Sequence, residues 1–306
     1  MGPRQEAAAH GGRPPGAALT RFTQFAAIDW SGAVGPRQRG IAVALCGLGG
    51  AAPKLVRPGH VWSRREVVDW MLEEMPAGTL VGLDIGPSLP FADRGAFFPG
   101  WRESPPDARA LWRLVETMCA ADPHLAASSF VDHPEASRHF RRHGGRCGDL
   151  FQKGRGRLRV TELAQQEQGL NPYSNFNLVG AAQVGKSSLT GMRLLRGVDG
   201  RLPIWPFDPR PADGSVVVEI YTSIAALAAG LRKNRTKVRD AASLDLALTA
   251  LGSAPHAPLR AYDDHSTDAI MAAAWLRRVH ADPVLWAPPR LTPQLARTEG
   301  WTFGVR

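Results

Sequence analysis

Five carboxylates set against apolar sequence are the first chemical signal in this chain. Asp29 ends the run FTQFAAID, Asp84 ends TLVGLD, and Glu219 interrupts SVVVEIY. An acid there is costly unless it faces water, a partner or a cation. Asp264 and Asp268 stand four apart in a helical stretch, with His265 between them as a candidate proton carrier. Like charges at that spacing face one another and weaken a helix by a few tenths of a kcal/mol, a penalty that a bound cation turns into coordination. Hard oxygen ligands suit magnesium or manganese. Two such ions among carboxylates activate water and stabilise the leaving oxygen of a phosphodiester. Taken singly, each acid reads as a cap, a salt-bridge partner or a solvated strand end. Taken together, Asp29, Asp84, Asp264 and Asp268 read as metal ligands, and Asp29, Asp84, Glu219 and Asp268 as the catalytic acids.

Phosphate handling is the second signal. Gly180 to Ser187 matches G-x-x-x-x-G-K-[ST], a spacing that wraps backbone N–H groups around phosphates. Its context is mixed: FNLV offers a preceding strand, but Gly191 falls in the first turns of the helix that should follow. Residues 138–159 hold eight Lys or Arg and one acid, with Phe140 and Phe151 interleaved as on single-strand binding surfaces. Residues 232–239, RKNRTKVR, add five bases. Lys186, Ser187, Arg141, Arg142, Lys153 and Arg155 are the candidate phosphate contacts. The same charge also reads as a solvated loop, or as a seat for a small anion. His139, His143 and Cys147, four apart, invite a zinc reading, but Gly144 and Gly145 break the helix that would align them and the Arg residues repel a cation. No G-x-S-x-G elbow is present, which argues against a serine hydrolase.

These side chains need elements to hold them. Short apolar runs predict strands ending at Asp29, over 40–48, over 79–86 and over 215–223. Apolar residues at 67, 68, 71, 72 and 75 predict a helix, with Ser63 and Glu66 as its capping box. Helices are also expected over 105–121, 225–231, 243–251 and 263–280, the last begun by Asp263 or Asp264. Strand, strand, helix, strand suggests an α/β domain. Residues 122–178 read as a basic insertion in the middle of the chain. Residues 1–20, rich in Gly, Ala and Pro without apolar period, read as a disordered tail ahead of one domain over 21–306.

Composition bounds the rest. A chain of 306 residues, 44% hydrophobic and 21% charged, has ample core for a globular domain. No stretch approaches the roughly 18 apolar residues of a membrane span. Three dispersed cysteines fit reduced thiols in a cytoplasm. Thirty-seven bases against 28 acids give a net charge of +9, which favours polyanionic partners. Because most of the bases are Arg, in a chain rich in Ala, Gly and Pro, coding bias weakens that signal and clustering matters more.

The blocks AAIDWSGA (26–33), VGLDIGPSLPF (81–91), FNLVGAAQVGKSSLTGM (176–192), VVVEIYTS (216–223), DDHSTDAIMAAAW (263–275) and EGWTFGV (299–305) resemble, in order, the domain-of-unknown-function family 429. That family is predicted to comprise RNase H-like nucleases. The resemblance implies an RNase H-like mixed sheet flanked by helices, with acids on the first strand, a central strand and the last helix. Asp29, Asp84 and Asp268 match these, and Glu219 matches a Glu-hydrophobic-Tyr block. The chain departs from the family at Thr222, where Pro is usual, and in its DWSG opening. The expected function is a cytoplasmic, magnesium- or manganese-dependent nuclease acting on DNA or RNA. The alternatives are an ATP-dependent phosphotransferase or ATPase, built on an actin-like core or on the Gly180–Ser187 loop, and a non-catalytic nucleic-acid binder.

Overall fold

Strand β1 (Gln24–Asp29) lies near the middle of a six-stranded mixed sheet. The computed structural model describes residues 22–180, 184–232 and 237–306. β1 pairs antiparallel with β2 (Ala42–Gly47), which carries the short edge strand β3 (Lys54–Leu55), also antiparallel. On its other side β1 pairs parallel with β4 (Thr79–Asp84), then β6 (Val216–Glu219) and the edge strand β5 (Ile204–Trp205) continue in parallel. The order is β3-β2-β1-β4-β6-β5. β1 and β4 are nearly unbroken apolar runs because helices cover both of their faces.

Eleven α-helices occur among the described residues. Three cover one face of the sheet: α1 (Arg64–Asp69), α2 (Ala108–Met118) and α6 (Val184–Val198). Short helices α3 (Ser128–Asp132) and α4 (Pro134–Ser137) pack beside them, and α5 (Val160–Glu167) buries Ala164 on the opposite side. The other face carries α7 (Thr222–Ala228), α8 (Ala241–Ala250) and α9 (Asp264–Val279), with α10 (Pro283–Trp286) and α11 (Pro293–Thr298) closing its edge. The result is a three-layer α/β protein with one core on each face of a shared sheet. The capping box of Ser63 and Glu66 forms, and Asp263 caps α9.

Strand alternation decides where the acids point. Ala26 and Ile28 enter the core under α1 and α6, whereas Phe25 and Ala27 enter the core under α9. Asp29 continues the second series and Asp84 follows Leu80 and Gly82 in the same way. Gly82 has no side chain for a packing reason: a Cβ there would lie 2.7 Å from both Ile220 and Leu276. Ala269 and Ala272 to Ala274 are fully buried, so α9 rides close over the sheet and carries Asp268 to the strand ends.

Three expectations change. The segment 122–178, read as an insertion, is not a solvated loop, since Phe130, Phe140 and Phe176 are wholly buried in the core shared with α2 and α6. Phe140 therefore cannot stack bases; burying an aromatic ring outweighs the pull of its Arg neighbours toward water. Gly191, read as a helix breaker, lies inside α6, where a Cβ would come within 2.7 Å of Ile85. The expected tail over 1–20 lies outside the described residues. No described helix is long and apolar enough to cross a membrane.

Candidate functional site

The register of β1 on β4 sets Asp29 directly opposite Asp84. Adjacent strands run about 4.8 Å apart, so the two carboxylates are next-door neighbours on one face. α9 adds Asp268 from above; Asp29 and Asp268 are 9% and 8% exposed. Burial, the largest cause in each case, holds all three acids toward their protonated forms. Burial chiefly, then Asp29, pushes Asp84 well above the usual carboxylate range. Asp29 is raised by burial, against the pull of His265. Burial lifts Asp268 to about 6 although Lys237 opposes it.

Among the described residues each of the three acids has one hydrogen-bonding side-chain partner. His265 Nδ1 lies 3.0 Å from Asp29 Oδ2, and this contact raises the imidazole pKa. Thr222 donates its hydroxyl to Asp84 at 3.0 Å. Lys237 Nζ sits 2.8 Å from Asp268 and 3.6 Å from Asp264, while Arg239 pairs with Asp264. Asp264 thus stands at the rim, held by two cations. Among the described residues no three His, Cys, Asp or Glu side chains are gathered closely enough to hold one metal ion. Asp29 is turned to His265, Asp84 to Thr222 and Asp268 to Lys237, so their oxygens do not yet converge on one point.

Glu219 has a different situation. Its Oε1 accepts from Arg159 at 2.6 Å and Thr302 at 2.8 Å, and its Oε2 accepts from Arg159 at 3.0 Å. Arg159, 1% exposed, also bonds Glu162 and the carbonyl of Glu299. Both oxygens of Glu219 are occupied by a buried ion cluster that ties β6 to α5 and the C-terminal segment. Asp84, Glu219 and Ser187 nevertheless line one pocket of about 160 Å³, with Trp30, Tyr173 and Tyr221 on its walls.

The candidate phosphate residues divide. Arg141, Lys153 and Arg155 are exposed and have no carboxylate within salt-bridge distance among the described residues. Arg142 pairs with Asp132 at 2.9 Å. Lys186 Nζ lies 2.8 Å from His143 Nε2, and burial lowers its pKa. Ser187 donates its hydroxyl to the Val184 carbonyl at 2.8 Å, so that group is engaged within its own helix. The segment before Gly180 forms an isolated bridge, Arg141 to Asn177, rather than the strand that a nucleotide loop needs; residues 181–183 of that motif lie outside the described ones. The zinc trio does not assemble: His139 is buried against Phe98 and Phe176, and Cys147 is exposed.

Two partners were hidden in the sequence. Lys237 belongs to the basic run 232–239, which reads equally as a phosphate groove or a solvated loop, and residues 233–236 of that run lie outside the described ones. Arg159 is one of the eight bases of the segment 138–159, and nothing local in the sequence marks it as buried. Thr222 carried a signal, as the departure from the family pattern beside Glu219. Comparisons with protein-family models, with curated proteins and with solved structures found no match to this chain.

Proposed function

We propose that this chain is a metal-dependent nuclease of RNase H-like fold, related to the domain-of-unknown-function family 429, that hydrolyses phosphodiester bonds in DNA or RNA. The observation that carries the reading is the pairing of Asp29 directly opposite Asp84, with Asp268 brought against them by α9. Three buried carboxylates, each pushed up by burial and two of them also by Asp29, form an all-oxygen donor set, which fits magnesium or manganese in chemistry. Asp29, Asp84 and Asp268, with Asp264 at the rim, would hold the ion, which supplies water activation and leaving-group stabilisation. The ammonium of Lys237 sits among the same acids and competes for Asp268. His265 orients Asp29 and stands at the mouth of the site as a proton carrier. Glu219 acts at one remove, by fixing the pocket wall through Arg159. Exposed Arg141, Lys153 and Arg155 and the net charge of +9 favour a polyanionic substrate. A cytoplasmic setting accords with three free thiols.

The test is cleavage of labelled single-stranded, duplex, hybrid and branched DNA and RNA with manganese or magnesium. Wild-type protein should cleave at least one substrate. Asp29→Asn, with an unchanged circular dichroism spectrum, should cleave none. Wild-type protein that binds manganese yet cleaves no member of the panel would refute the nuclease reading.

A further inference from the structure

A second cavity, of about 180 Å³, lies on the far side of the first turn of α6 from the acids. Ser187 faces the acidic pocket, whereas Lys186 and Thr190 face this one. Among the described residues four cations, Arg64, Arg142, Arg146 and Lys186, line it and one carboxylate, Asp132, answers them. Arg64 is 1% exposed and, among the described residues, donates only to carbonyls, those of Ser31, Ala33 and His124. Lys186 has no acid partner among the described residues and touches His143 instead. Arg142 bonds Asp132, but its Nε is buried without a partner. Arg146 reaches the same Asp132 only at 3.9 Å. Burial presses both Lys186 and Arg64 toward their neutral forms, a cost that an anion seated beside them would offset. Ala126, Val131, Leu178 and Leu189 form an apolar stretch of wall beside them, with Ser128 and Thr190 as neutral polar neighbours.

The charge count selects the ligand. Four cations against one acid leave a surplus of about three, which a carboxylate offsets poorly and a phosphate monoester, carrying about −1.5 to −2, offsets well. Arg and Lys together suit its three terminal oxygens. Pockets for whole drug-sized ligands span about 300–1,000 Å³, so this one holds a phosphate and the first ring behind it. Close packing keeps the cavity rigid: a Cβ on Gly32 would lie 2.4 Å from the backbone of Lys186 and Ser187, so the loop after β1 abuts α6 directly.

We propose that this cavity binds a phosphate monoester carried on an apolar ring, with Lys186, Arg142 and Arg146 neutralising the phosphate. The site does not depend on the nuclease reading, because it shares no ligand with the acids. Two sources offer that chemistry, a free mononucleotide and the phosphorylated end of a strand.

Calorimetric titration of the full chain in EDTA, where no metal-dependent turnover occurs, tests it. Thymidine monophosphate and a 5′-phosphorylated thymidine dinucleotide should each bind at least about tenfold more tightly than their unphosphorylated twins. Lys186→Gln and Arg142→Gln should each erase most of that preference, while Lys54→Gln, on the exposed edge strand β3 away from the cavity, should keep it. Equal affinity for the two phosphorylated ligands assigns a free nucleotide; a dinucleotide advantage of about tenfold assigns a strand end, and either supports the site. No preference for phosphate, a preference intact in both variants, or inorganic phosphate binding as tightly as the monoesters would overturn it.

Discussion

Asp84 is the residue most at odds with stability. It is pressed toward its protonated form by burial and by Asp29 opposite it. A carboxyl whose folded pKa is raised binds its proton more tightly in the folded state, so it destabilises the protein above that pKa. Asp84→Asn keeps an oxygen to accept from Thr222 and removes the charge. In EDTA at pH 8 it should gain about 1–2 kcal/mol, a rise of roughly 1.5–3 °C in Tm by scanning calorimetry. An unchanged or lower Tm would mean that the repulsion is relieved elsewhere. Asp268 gives the pH form of the same argument. Its pKa moves from 3.8 to about 6, so its penalty is absent below about pH 4 and complete above about pH 6. The stability difference between Asp268→Asn and wild type, by urea unfolding, should therefore grow in favour of the variant across that window. Lys237 is the ion already in place. Lys237→Gln should tighten manganese binding about fivefold, the ~1 kcal/mol worth of a half-exposed ion pair; weaker binding would show that Lys237 helps hold the site.

At the scale of elements, the strands and the paired acids were legible because a buried parallel strand must be apolar, and an acid at its end breaks the pattern. The Ala-rich face of α9 was legible for the same reason. The surroundings of Glu219 were not. Arg159 lies 60 residues away in a run that reads as solvated, and sequence distance hides a buried ion cluster. That cluster should behave as a unit. Arg159→Leu leaves Glu162 and Glu219 buried and unpaired, at a cost of about 3–5 kcal/mol. Adding Glu219→Gln should recover part of that loss in denaturant unfolding, whereas additive losses would show that Arg159 acts through packing alone. Gly191 was misread because helix propensity counts glycine as a breaker, while the crossing of α6 over Ile85 demands the absence of a side chain.

At the scale of the molecule, the net charge of +9 overstates what is available to a nucleic acid. Within 138–159, Arg138, Arg142, Arg157 and Arg159 are paired with acids at 2.6–2.9 Å, and two of them are buried. Folding has turned much of the basic run into internal ties, which is why composition alone could not weigh it. Within that segment the exposed bases without such partners among the described residues are Arg141, Lys153 and Arg155, joined by the half-buried Lys186 in the cavity beside α6. Single-stranded binding releases counterions with a slope of about −0.7 per phosphate neutralised, so four contacts predict a slope near −3 in log K against log salt and eight would predict about −6. Fluorescence anisotropy with an oligonucleotide in EDTA, from about 50 to 300 mM salt, separates the two. A slope near −3 that becomes shallower by about 0.7 in Lys153→Gln places the strand along these four residues. A slope near −6 would mean that the internal pairs open on binding, and that the buried ties of the middle segment are weaker than their geometry indicates.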